Sequence, residues 1–318
     1  MAAAFKEVWP EQGVDDEEIK PKMMVPLHKS NFVLLTGGSG LTLKPDKSRL
    51  LEVKEVKNNV GSTVSNMAAT ALSQRDDPTQ NFFGELITDV AAPFVYGALA
   101  SNARLFKVKG NRSGLTSIEA SGGSVKAELV VTVHPEKLVK VAFHFAATVD
   151  GSGTIQPLTR WNPSDTSQWI IDLNHMFTPQ ANVVFEKIHA DYWVPQKKDP
   201  KNPSALTAWD PKVPFSLATW DTIDVKRHPK AKVNIYLVGK WRGDGSDPVG
   251  SHIIKTHDVV CDDTTGHGTI LMLLSHELGH FLGAGHPPSG KRHWITEMSF
   301  ARTGNKIPHD FVLKFNPW

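Results

Sequence analysis

Three histidines stand at positions 276, 280 and 286 of the 318-residue chain, with Glu277 beside the first and Gly283 between the second and third. The residues before and among them carry a helical period: Ile270, Leu271, Leu273, Leu274, Leu278, Phe281 and Leu282 fall on one broad stripe. Asp262, Asp263, Thr264 and Thr265 place carboxylates and capping hydroxyls at the start of this helix, and Gly283 suits its end. Residues four apart lie one above the other on a helix face, so His276 and His280 can bring their imidazoles to one ion. Gly283 permits a left-handed turn out of the helix, from which His286 can return to the same point. A continuing helix would carry His286 away.

Zinc accepts neutral imidazole nitrogen, and a catalytic site keeps three protein ligands with one position open. His276, His280 and His286 are therefore the expected Zn2+ ligands. Glu277 can lean over the same helix face and act as general base toward a metal-activated water. With 14 His and 24 Gly in the chain, the pattern of His276, Glu277 and His280 arises in roughly one shuffled sequence in forty. Adding Gly283 and His286 at fixed spacing lowers this to the order of one in ten thousand.

The run from 276 to 286, HELGHFLGAGH, is similar to the signature of the metzincin clan of zinc endopeptidases. Clan members carry a Met-containing turn under the metal, and the resemblance implies that Met298, within residues 294–300, forms the apolar floor below the three imidazoles. Members resembling astacins and serralysins have a tyrosine two residues after that methionine. Phe300 stands there instead, so those two families match less well than the clan itself. The resemblance implies an α+β catalytic domain over residues 136–318, with a twisted mixed sheet, an active-site helix and the Met-turn. It also implies a substrate held as an extended strand against a rim strand, here residues 251–260.

Upstream the texture differs. Residues 1–30 are polar and punctuated by Pro10, Pro21 and Pro26, and are expected to form a tail. Short β-type runs follow at residues 32–35, 50–53, 104–108, 115–118 and 126–133, separated by turn signals, which suggests a small β-sandwich. Residues 106–123 and 127–135 resemble the end of bacterial Ig-like domains. The expected organisation is an Ig-like β module over residues 31–135, with a helical insertion near 62–100, followed by the catalytic domain. Residues 37–40 are Gly-rich but lack a Gly-Lys-Ser/Thr ending, and suit a β-turn better than a phosphate loop. Within the second domain the pattern predicts strands at 138–145, 182–188 and 232–238, and a surface loop over 195–214. It also predicts a helix over 164–177, capped by Ser164 and stopped by Pro179.

Composition excludes several classes. Lys plus Arg number 35 against 33 Asp plus Glu, a net charge of +2 that carries no basic excess for nucleic acid. The single cysteine, Cys261, rules out an intrachain disulfide and is expected to be a small buried thiol. The apolar stretch 82–100 contains Glu85, Asp89 and Pro93, so a membrane span is not expected. The acidic residues 15–18 do not fit a secretory signal peptide. His144, in an alternating strand, is expected to be a satisfied or half-exposed histidine.

These features point to a zinc metalloendopeptidase acting on a protein or peptide substrate. An Ig-like module beside a protease without a leader resembles bacterial toxins and effectors exported by specialised machines, type VI among them. That resemblance implies a secretion-machine component and an immunity protein as partners. The competing class is a partner- or glycan-binding protein with a structural or degenerate zinc site. Three histidines with Glu277 retained argue against it, since a structural zinc usually takes four protein ligands.

Overall fold

Burial alternates along the strands of the first half, and this alternation builds two facing sheets. The structure, a computed structural model, describes residues 2–6, 8, 13–15, 20–37, 40–57, 103–241, 250–253, 256–262, 267–285 and 307. The first lobe comprises β1 (Ala4–Lys6), β2 (Val14–Asp15), β3 (Lys22–Pro26), β4 (Ser30–Thr36), β5 (Thr42–Pro45), β6 (Leu51–Glu55), β7 (Arg104–Gly110), β8 (Gly114–Gly122) and β9 (Val125–His134). They form sheets ordered β1-β4-β7-β6 and β2-β3-β9-β8-β5. Phe5, Val33, Leu35 and Val108 from one sheet and Met23, Val25, Ile118 and Val131 from the other are buried in one shared core, as in a sandwich.

The expected polar tail is corrected here. Residues 4–26 supply three strands, and β3 lies between β2 and β9, pairing with β9 in parallel. Strands of two to five residues interrupted by prolines carry too few alternations to stand out in a sequence. The expected helical insertion at 62–100 lies outside the described residues, and with it the apolar stretch 82–100. No helix among the described residues is long and apolar enough to cross a membrane.

The second lobe holds β10 (Lys137–Val149), β11 (Ile155–Pro157), α1 (Thr166–Ala181), β12 (Val183–Trp193), β13 (Gln196–Lys198), β14 (Leu206–Ala208), α2 (Leu217–Trp220), β15 (Val233–Val238), β16 (Gly250–Ile253), β17 (Asp258–Asp262) and α3 (His267–Phe281). Strands β12, β10, β15 and β17 run parallel in that spatial order. At the edge β16 runs antiparallel to β17. The fold is mixed α and β, and mostly strand.

Both longer helices cover one face of this sheet. Phe143, Phe145, Ile235, Leu237, Val259 and Cys261 point toward Trp169, Leu173 and Phe177 of α1 and toward Ile270, Leu274 and Leu278 of α3. The opposite face carries Ala146, Tyr236, Val238 and Val260 under Trp209, Phe215, Trp220 and Trp241. The segment 195–214 is thus not merely a surface loop. It contains β13 and β14, and Trp209 stacks on Phe215 with ring centroids 4.9 Å apart. Large aromatic areas held over an apolar sheet explain why so Pro- and Lys-rich a segment is ordered.

Two further expectations change. Asp165 rather than Ser164 holds the N-cap position of α1, its carboxylate accepting from the Asn162 N–H upstream rather than from the helix, and Pro179 sits inside the last turn instead of stopping it. The rim strand expected over 251–260 is a hairpin of β16 and β17, with His257 at φ 54° between them. The two lobes meet: Met24 of β3 belongs to the helix-side core, and Asn182 Nδ2 donates to His134 O across 2.8 Å.

Candidate metal centre

The end of α3 positions the candidate ligands. Gly283 has φ 100°, its N–H donates to His280 O at 2.9 Å, and Ala284 N–H donates to Gly279 O at 2.9 Å. These two bonds around a left-handed glycine form a Schellman cap, the exit that Gly283 leads one to expect. The turn also brings the carbonyl of Ala284 to within 2.7 Å of His280 Nδ1. A carbonyl only accepts, so His280 Nδ1 carries the hydrogen and Nε2 presents a lone pair.

That lone pair faces His276. The two Nε2 atoms are 3.0 Å apart, with ring planes at 89° to each other. Two nitrogens each about 2.0–2.1 Å from a tetrahedral zinc lie roughly 3.3 Å apart, so the pair has the separation of two ligand corners. The Nδ1–H to carbonyl bond of His280 is the outer contact that ligating histidines ordinarily make. The donor set that is described therefore fits Zn2+. His276 and Glu277 are each 1% exposed, while His280 is half-buried toward the surface. His286 and Met298 lie outside the described residues.

Under the helix, Cys261 on β17 is wholly buried. Burial, reinforced by the carboxylates of Glu277 and Asp262, pushes its thiol well above the ordinary range. A zinc-binding cysteine must be a thiolate, so Cys261 has the character of a core thiol. Asp262 accepts from Trp241 N–H at 2.6 Å, which holds the end of β17 to the aromatic face.

Sequence reasoning missed a second cluster. His144 is wholly buried and joined to Asp191 and Asn234, and His189 lies beside the same carboxylate. Two signals were present: the spacing of two between His189 and Asp191, and the alternation of His144 with Phe143 and Phe145. What no local pattern shows is that β10 and β12 are neighbours with His144 opposite Asp191.

No protein-family model matches the chain, and no curated protein matches it. Among solved structures, 42% of the chain is similar to 15% of the S-layer protein rSbsC, at 12% identity and TM-score 0.23. Domains 1-6 of the surface layer protein SbsC match 49% of the chain at 12% identity and TM-score 0.24, over 17% of their own length. Domains 5-6 of the S-layer protein SbsC match 48% at 13% identity and TM-score 0.22, over 66% of theirs. The chain thus spans less than two thirds of each of these structures, and likeness at these TM-scores carries no functional argument.

Proposed function

We propose that this chain is a zinc-dependent endopeptidase, with His276, His280 and His286 as metal ligands and Glu277 as general base. One observation carries the reading: the Nε2 atoms of His276 and His280 converge to 3.0 Å, with His280 oriented by the carbonyl of Ala284. The helix closes at Gly283, three residues before His286, which frees the chain to leave the helix axis there.

When bound, Zn2+ supplies a Lewis acid for the scissile carbonyl and brings the pKa of a water toward about 7. Glu277 takes a proton from the attacking water and passes it to the leaving amine. Among the described residues β16 pairs only with β17, and α3 packs against both strands. The outer N–H and C=O groups of β16 can therefore pair an extended peptide at the edge nearest the helix. Such pairing reads backbone and leaves side-chain preference to the surrounding loops. In this reading the sandwich of the first lobe is an Ig-like recognition or delivery module of an exported effector, supported by the resemblance of residues 106–123 and 127–135.

The test compares zinc content and casein hydrolysis of the wild type with those of Glu277→Gln. Both proteins are expected to hold zinc, and hydrolysis is expected to fall by a factor on the order of 100 or more in the variant. Zinc binding without hydrolysis of varied peptides by the wild type would favour a partner- or glycan-binding protein with a structural or degenerate site.

A further inference from the structure

We propose that His144, His189 and Asp191 form a second divalent-cation site, on the face of the sheet opposite α3. His144 of β10 and Asp191 of β12 are directly opposed in the parallel register, and Tyr236 of β15 lies opposite His144 on its other side. These residues share the aromatic face with Ala146 and Val238, whereas α3 packs on the face of Phe143 and Phe145. A register shift between Val141 and Ala142 sets His189, rather than Ile188, opposite Ala142. A bulge of this kind re-aims the side chains that follow it.

The hydrogen bonds around His144 define what the site wants. Asn234 Oδ1 accepts from the His228 backbone N–H at 2.8 Å, which fixes the orientation of the amide. The same oxygen lies 3.1 Å from His144 Nε2, so Nε2 carries a hydrogen and donates. In a neutral imidazole the lone pair is then on Nδ1, and Nδ1 lies 2.9 Å from Asp191 Oδ1. Two electron-rich atoms at that distance need a cation between them, a proton or a metal. His189 Nε2 approaches the other carboxylate oxygen at 3.2 Å, and the three donor atoms all lie within 4.8 Å of one another.

Two imidazoles and a carboxylate suit Zn2+, Co2+, Ni2+ or Fe2+, and a ligating histidine ordinarily donates its second N–H to an oxygen acceptor, the part that Asn234 Oδ1 plays for His144. His144 is wholly buried, while the His189 and Asp191 side chains are 34% and 22% exposed, so an ion has a path from solvent. Lys226 Nζ pairs with Asp191 Oδ2, but its side chain is 57% exposed. It is a removable competitor, a cation already drawn to the place where the metal would sit.

The experiment strips the untagged full chain with chelator, titrates it with Co2+ and counts bound equivalents, then repeats the count with Zn2+. His189→Ala and Asp191→Asn are each expected to bind one equivalent fewer than the wild type. The His276→Ala/His280→Ala double variant is expected to keep the equivalent that His189→Ala loses, so the two sites are counted separately. Lys226→Ala is expected to bind Co2+ several-fold more tightly, an outcome that a purely structural ion pair would not give. Asn234→Ala is expected to weaken it by about 10- to 100-fold. Wild-type stoichiometry in a natively folded His189→Ala protein, or a Lys226→Ala protein with unchanged affinity, overturns the assignment.

Discussion

Asn31 of the sandwich donates its side-chain amide to Pro179 O of α1 at 2.7 Å, and the same amide nitrogen reaches Met24 O at 2.9 Å. One buried side chain thus ties a strand of the first lobe to the last turn of a helix in the second, beside a methionine that belongs to the helix-side core. Asn31→Ala removes both bonds, at an expected cost of about 1–3 kcal/mol. Urea unfolding of this variant should show one transition at lower denaturant than the wild type. An unchanged midpoint would mean that the contact between the lobes contributes nothing to folding.

A second buried polar centre lies under α2. The Asp258 side chain is wholly buried, and Arg227 grips it through Nε at 3.1 Å to both oxygens and through Nη2 at 2.6 Å. Thr256 Oγ1 donates to the same carboxylate at 2.6 Å. The bond to Asp258 holds the guanidinium more strongly protonated than usual, with burial opposing. Arg227→Met strands a buried carboxylate without its counter-charge. The expected loss is about 3 kcal/mol, the lower end for a buried pair, because the Arg227 side chain is 40% exposed and water can partly replace it. Pairing Arg227→Met with Asp258→Asn should recover part of that loss, and a double variant no more stable than the single one would contradict this account.

The thiol of Cys261 gives the fold a pH dependence of known sign. Burial, with the carboxylates of Glu277 and Asp262, raises it in the folded protein. In the unfolded chain it titrates near 8.5. Stability from this group is fully present below that value and is lost as pH rises, because only the unfolded state gives up the proton. The slope approaches about 1.4 kcal/mol per pH unit. Burial also raises the Tyr236 phenol, with the same sign at higher pH, so the comparison is made below about pH 10. Unfolding free energies at pH 8 and 9.5 should fall in the wild type and fall less in Cys261→Val. Equal slopes in the two proteins would remove Cys261 from the explanation.

What could be foreseen from sequence follows from how local each cause is. The stripe from Ile270 to Leu282 and the glycine after it announce α3 and its end, since both rest on residues within one turn of each other. Residues 126–133 alternate cleanly and form most of β9. The first three strands are too short to show a period, and β3, which joins β2 to the sheet, is held by a parallel partner about a hundred residues away. Pro179 misleads because a proline in the last turn removes only one N–H bond, after which Asn182 closes the helix at φ 50°. His257 turns the β16–β17 hairpin at φ 54° without the glycine that usually signals such a turn. His144, Asp191 and Asn234 come together from three strands, so their meeting is a property of sheet register alone.

The same logic makes Gly283 the most informative single position for the α3 site. Its φ of 100° lies where a Cβ is strained, so Gly283→Ala is expected to cost about 1–2 kcal/mol in urea unfolding. The larger effect should be on metal binding. If the cap moves, Ala284 O no longer receives the Nδ1–H of His280, and the ring loses the contact that keeps its Nε2 lone pair turned toward His276. Loss of such an outer contact weakens metal affinity by about 10- to 100-fold. In competition with a chromophoric chelator, Gly283→Ala should give up zinc at correspondingly lower chelator concentration. Hydrolysis should fall at limiting zinc and return when zinc is in excess. A variant that loses stability yet holds zinc as tightly as the wild type would show that the cap shapes the helix end without orienting His280.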